Sequence, residues 1–193
     1  MGRKKLVSDE QLLEAAREVF STQGLTASTR AVARQAGISE AVVFQRYATK
    51  ADLFFAAMVP PAFDLNAAAP EPGPGVPARQ VIRRLFIALL EYFRTASPVF
   101  IQLLASHEFE FEHFARAHPD NSLATLRWAV TERLGRLAAA RKLGTDPAYA
   151  ALVLFAAAQG LAIFERLGAH GGRFEEAMIK GTLTALWSGL GTD

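Results

Sequence analysis

An all-α fold follows from three features of this 193-residue sequence. Apolar residues recur at three- and four-residue steps through most of its length, which gathers them on single helix faces. Period-two alternation, the mark of a half-buried strand, is confined to residues 108 to 114. Side chains that cap helix starts precede several periodic stretches, and Gly or Pro follows them. The expected architecture is an N-terminal three-helix domain over residues 1 to 58 joined to a larger helical body over residues 59 to 193.

Taken in order, Ser8-Asp9-Glu10-Gln11 has capping-box spacing and starts a helix near Asp9. Leu12, Leu13, Ala16, Val19 and Phe20 form its buried face, and Gly24 stops it. Two short helices are predicted over residues 31 to 36 and 40 to 47, separated by a turn at Gly37. Thr49-Lys50-Ala51-Asp52 caps a further helix that runs through Leu53, Phe54 and Met58 to Pro60-Pro61. Residues 67 to 78, AAAPEPGPGVPA, carry no periodicity and read as a linker. Beyond it, helices are predicted over residues 78 to 95, 98 to 107, 122 to 143, 147 to 167 and 174 to 190, with a break at Pro98.

Composition narrows the function. The apolar fraction of 51% and charged fraction of 21% are those of a folded globular protein. Absence of cysteine removes disulfides, thiolate catalysis and Cys-based metal sites. The N-terminus is basic but leads into a polar run, so no secretion signal is expected, and Leu6 spoils a myristoylation motif. The apolar stretch over residues 150 to 164 falls short of the ~20 residues a membrane helix needs, so a soluble cytoplasmic protein without a membrane partner is expected. Net charge is only +2, yet residues 1 to 50 hold eight basic against five acidic residues. A basic end on a near-neutral body suits a polyanion, and Arg3, Lys4 and Lys5 could form an electrostatic arm.

Residues 28 to 50 meet the demands of a helix-turn-helix. In that unit one short helix braces the chain across a DNA backbone, while the next inserts its first turns into the major groove. Small and apolar residues must set the helix crossing, and Gly must open the turn. Val32 and Ala33, then Gly37 and Ile38, then Val43 and Tyr47 supply these in order, with Ser39 as N-cap of the second helix.

The same segment resembles the DNA-binding region of the TetR family of bacterial regulators. The resemblance rests on Gly24, Ala27-Ser28-Thr29, Val32-Ala33-Arg34-Gln35-Ala36-Gly37-Ile38-Ser39, Tyr47 and Thr49-Lys50-Ala51-Asp52-Leu53, and covers about the first 58 residues. Glu40-Ala41 stands where that family usually has Lys-Gly, Phe44 replaces a phosphate-donating Tyr, and Arg46 replaces a common His. The expected DNA-binding set is Ser28, Thr29, Arg30, Ser39, Glu40, Ala41, Val42, Phe44, Gln45, Arg46, Tyr47 and Lys50. Within it, Ser28, Thr29, Arg46 and Lys50 are expected on phosphates, and Arg30, Glu40, Val42 and Gln45 at base edges.

The resemblance implies a body that binds a small effector and dimerises. Aromatic side chains suit an apolar effector, with Phe93, Phe100, Gln102, His107, Phe111, Trp128, Phe155 and Gln159 as candidate contacts; an ordinary aromatic core is the plainer reading. Met178, Gly181, Ala185 and Ser188, together with Phe155 and Phe164 on the preceding apolar helix, are the expected homodimer face. Two heads related by a two-fold axis imply a near-palindromic double-stranded operator. The expected regulator is a repressor that its effector releases from DNA, with neither metal nor cofactor. The alternative is an all-α metal-carboxylate enzyme built on Glu108, Glu110 and Glu112 beside His107, His113 and His118. Against it, the chain has no phosphate-binding Gly loop, no HExxH and no nucleophile elbow. A third reading makes the helix-turn-helix a protein-contact module.

Overall fold

The computed structural model describes residues 7–60, 63–73, 75–107, 110, 114, 122–140, 143–168 and 171–190. Helices are α1 (Asp9–Gln23), α2 (Thr29–Ala36), α3 (Glu40–Arg46), α4 (Lys50–Ala57), α5 (Leu65–Ala68), α6 (Ala78–Ala105), α7 (Ser122–Ala139), α8 (Pro147–Arg166) and α9 (Glu176–Leu190). A single 3₁₀ turn, Gly24–Thr26, follows α1, and no strand occurs among the described residues. The all-α class is therefore as expected. The alternating stretch 108 to 114 lies largely outside the described residues.

Two compact units divide the chain, one from Met1–Pro60 with Pro98–Ala117, the other from Pro61–Ser97 with His118–Asp193. In the first unit α1 packs on α2 and α4, and α2 packs on α3. Leu12, Ala16, Phe20, Val32, Val43, Leu53 and Phe54 form its core, joined from later in the chain by Val99, Leu103 and Phe114. The rings of Phe20 and Phe54 meet edge to face at 5.2 Å. Both predicted capping boxes are present, Ser8 with Gln11 on α1 and Thr49 with Asp52 on α4. Each satisfies backbone donors that would otherwise lack partners at a helix start. Gly24 ends α1 at φ 61° and ψ −160°, a region reserved for glycine. A Cβ there would stand 2.5 Å from Oε1 of Gln102, so this side chain closes directly over the glycine.

Pro98 does not break the sixth helix, as its position had suggested; α6 runs unbroken through it. Proline removes one N–H donor from the ladder. Burial on both sides holds the helix, since Ala96, Val99 and Leu103 are almost wholly buried.

The second unit is built on Leu85, Phe86, Leu89 and Phe93 of α6 and on the faces of α7 and α8, which pack together. Phe63, Tyr92, Phe93 and Phe155 form an edge-to-face chain with centroid separations of 5.2 to 5.6 Å. The Pro/Gly-rich linker is anchored by a residue the sequence did not single out. Arg133 of α7 has only 4% of its side chain exposed and donates to the Ala69 carbonyl, to Oδ1 of Asn66 at 2.6 Å and to Glu71 at 3.1 Å. Those bonds satisfy a guanidinium that could not otherwise be buried.

A second buried pair closes the loop after α8. Arg94 and Glu165 meet at 2.5 Å with side chains 13% and 7% exposed, and the Phe174 amide donates to the same carboxylate at 2.9 Å. The hydrogen bond from Arg94 holds the Glu165 carboxyl below its ordinary value, outweighing the opposite effect of burial, and the Phe174 amide adds to the shift. Stability from this group is fully present above the ordinary carboxyl value of 4.5 and is lost as pH falls through the lower folded-state value. Glu165→Gln should therefore cost about 1–3 kcal/mol near neutrality and flatten the acid limb of a urea-midpoint-against-pH curve. An unchanged acid limb would reject this role.

By length and composition, α6 and α8 could each cross a membrane. The expectation that residues 150 to 164 are too short is thus corrected: α8 extends at both ends, from Pro147 behind its Asp146 cap to Arg166. The buried face of α6 belongs to the core described above. The exposed side of α8 is taken up below.

Candidate nucleic-acid interface

The turn between α2 and α3 is made by Gly37, left-handed at φ 69° and ψ 27°, whose N–H donates to the Ala33 and Arg34 carbonyls. The Ile38 N–H also returns to Ala33 at 3.0 Å. This six-to-one closure ends α2 within one residue and allows α3 to start at once. Ser28 caps α2 by accepting from the Ala31 N–H at 3.2 Å, and Ser39 caps α3 by accepting from the Val42 N–H at 3.4 Å. Val32, Ala33 and Val43 are buried where the two helices cross. The start of α2 is tied to the start of α3 by Thr29, whose hydroxyl donates to Oε1 of Glu40 at 2.5 Å.

Between these anchors lies a solvent-facing surface. Ser28, Arg30, Ser39, Ala41, Phe44 and Gln45 are exposed, with Phe44 at 47%. Arg30 has 85% of its side chain exposed, and its Nε lies 3.7 Å from Oε2 of Glu40. Val42 and Tyr47 are half-buried. Burial, reinforced by the Asp9 carboxylate, raises the Tyr47 hydroxyl above its ordinary value, so it remains a neutral donor. Arg34 is exposed one turn beyond Arg30, without an ion pair among the described residues. It was absent from the expected set, although its four-residue step from Arg30 places it on the same helix face.

Three of the residues expected on phosphates are engaged in tertiary contacts within the protein. Thr29 is buried and bonded to Glu40. Arg46 donates to the Val7 carbonyl at 2.7 Å and lies 3.0 Å from the Asp9 carboxylate, which fastens the end of α3 to the start of α1. Lys50 donates to the Leu25 carbonyl at 2.6 Å. These cations brace the unit as well as charging it.

The candidate effector contacts are divided between the two units. Phe93 and Phe155 touch at 5.6 Å and are buried. Gln159 is half-buried on α8. Trp128 is 63% exposed on the rim of a cleft of about 460 Å³ that Phe63 and Arg133 also line. Phe100, Gln102 and His107 belong to the first unit, where Gln102 covers Gly24. Phe111 lies outside the described residues, as do Glu108, Glu112, His113 and His118 of the metal alternative. Of the expected dimer face, Phe164, Met178, Gly181, Ala185 and Ser188 are exposed, whereas Phe155 is buried within its own unit.

The fold and this surface are those of a helix-turn-helix unit whose second helix faces solvent. Residues 12–57 match the family model described as bacterial regulatory proteins, tetR family. Solved structures carry the likeness over nearly the whole length. One is a Saccharomonospora viridis protein described as a transcriptional regulator in complex with choline, with TM-score 0.71, 16% identity, and 95% of this chain and 97% of that one covered. Another is Pseudomonas aeruginosa NalD, the secondary repressor of the MexAB-OprM multidrug efflux pump, with TM-score 0.65, 21% identity, and 95% and 96% covered. A third, Salmonella enterica GusR, has TM-score 0.63, 18% identity, and 96% of each chain covered. At these identities the likeness speaks for the fold. No curated protein matches the sequence.

Proposed function

We propose that the protein is a cytoplasmic homodimeric repressor that binds a near-palindromic operator and leaves it when a small, largely apolar effector occupies the helical body. The observation that carries the reading is the paired starts of α2 and α3, held together by Thr29 and Glu40, beneath exposed Arg30, Phe44 and Gln45. The starts of two helices carry partial positive charge that favours a nearby phosphate. Arg30 and Gln45 carry the side-chain types that read guanine and adenine. Phe44 offers an apolar face to a thymine methyl. Arg34 joins the phosphate contacts. An effector acts only through different affinities for the DNA-binding and released conformations. Phe93 and Phe155 supply apolar surface in the body, and the choline-bound Saccharomonospora protein supports small-molecule binding on this fold.

Binding to double-stranded DNA, measured against salt, tests the reading. The affinity should fall linearly on a log–log plot, with a slope of about 0.9 per phosphate contacted; salt-independent binding would favour the protein-contact module. Arg46→Ala should lower non-specific affinity and also cost about 1–2 kcal/mol of stability, because the Val7 carbonyl loses its donor and Asp9 its counter-charge. Asp9→Asn separates the two effects by weakening the brace while leaving the cation in place.

A further inference from the structure

The acidic residue that opens α3 is out of place if it faces DNA directly, since a carboxylate there meets phosphates and base acceptors. Its surroundings give it a different task. Oε1 accepts the Thr29 hydroxyl at 2.5 Å, and Oε2 lies 3.7 Å from Nε of Arg30. Thr29 is only 8% exposed and belongs to the first turn of α2, so the carboxylate is fastened to a rigid point. Arg30 is otherwise unrestrained, with 85% of its side chain in solvent. An ion pair at its Nε edge biases the guanidinium toward Glu40 and leaves both terminal nitrogens free. Those two nitrogens form the fork that fits O6 and N7 of a guanine.

We propose that Glu40 is a positioning residue and not a base reader: it aims Arg30 at one guanine in each half-site, with Thr29 fixing the carboxylate. The inference rests on the DNA-binding reading above and names its specificity device. Orienting a long, mobile side chain before binding lowers the entropy lost on contact. The carboxylate also offsets the cation's attraction to phosphate, which disfavours non-specific docking by Arg30.

Selection of bound sequences from a random double-stranded DNA library, run with the full chain and with Arg30→Ala, Glu40→Gln, Glu40→Ala and Thr29→Val, tests the proposal. The unsubstituted protein should enrich a motif with a guanine in each half-site, and Arg30→Ala should lose the preference at that position by about tenfold or more. Glu40→Ala should relax the same position and no other, while affinity for non-cognate DNA holds or rises. Glu40→Gln and Thr29→Val should relax it in part. Relaxation at a different position would mean that Glu40 reads a base, such as a cytosine amine, and would overturn the proposal. Retention of the guanine in Glu40→Ala would overturn it as well. A loss of all sequence preference in a variant whose thermal unfolding matches the unsubstituted protein would assign Glu40 to head geometry instead, again against the proposal. If the unsubstituted protein enriches nothing, the DNA-binding reading itself fails, a result distinct from each of these.

Discussion

Phe20→Ala is expected to destabilise the DNA-binding unit by about 3–5 kcal/mol, the cost of removing a buried aromatic side chain and leaving a cavity. The ring is wholly buried and stacks edge to face on Phe54, so its removal uncovers the contact between α1 and α4. Small domains are stable by only about 5–15 kcal/mol, and a loss of this size removes a large part of that margin. Circular dichroism in urea should show the midpoint shift, and DNA affinity should fall with it. Leu104→Ala is the matched control. That side chain is 75% exposed in the same unit, so its loss should change stability by less than about 0.5 kcal/mol. Equal effects at the two positions would contradict the packing described.

The first helix shows why so much of the head is legible in the sequence. A capping box, a three- and four-residue apolar step and a terminal glycine are all local signals, and α1 uses each where its residues place it. The turn at Gly37 is local as well. What escaped were interactions between segments distant in the chain. Arg133 reaches back to Asn66, Ala69 and Glu71, and no spacing rule marks an arginine destined to anchor a linker. Pro98 misled in the opposite direction, because a local break signal was outweighed by burial around it. The surface of α2 and α3 followed the same division. Its caps and turn were readable locally, but the partners of Glu40, Arg46 and Lys50 are Thr29, Asp9 and Leu25, which only folding brings near.

On the homodimeric reading proposed above, Leu152→Glu combined with Phe164→Glu is expected to give a monomer and to weaken binding to the selected operator by about 100-fold or more. On α8 and at its C-cap, Tyr149, Leu152, Val153, Phe164 and Leu167 are between 38% and 73% exposed, and at 100° per residue they fall within one third of the helix circumference. Exposed Met178, Gly181, Ala185 and Ser188 continue the same pattern on α9, where small residues permit close approach. Burial of each large side chain against a partner would contribute about 1.5–3 kcal/mol, enough for this stripe to drive association. A carboxylate at the centre of such a face would have to be desolvated without a counter-charge, which opposes the dimer directly. DNA affinity falls with it because a dimer engages two half-sites about 34–36 Å apart, and a single head loses the gain from the second. Sedimentation in detergent-free buffer at micromolar concentration measures the first effect, and gel shift on full and half operators measures the second. A doubly substituted protein that stays dimeric would place the interface elsewhere, whereas a monomer that still distinguishes full from half operator would break the link between dimerisation and operator recognition.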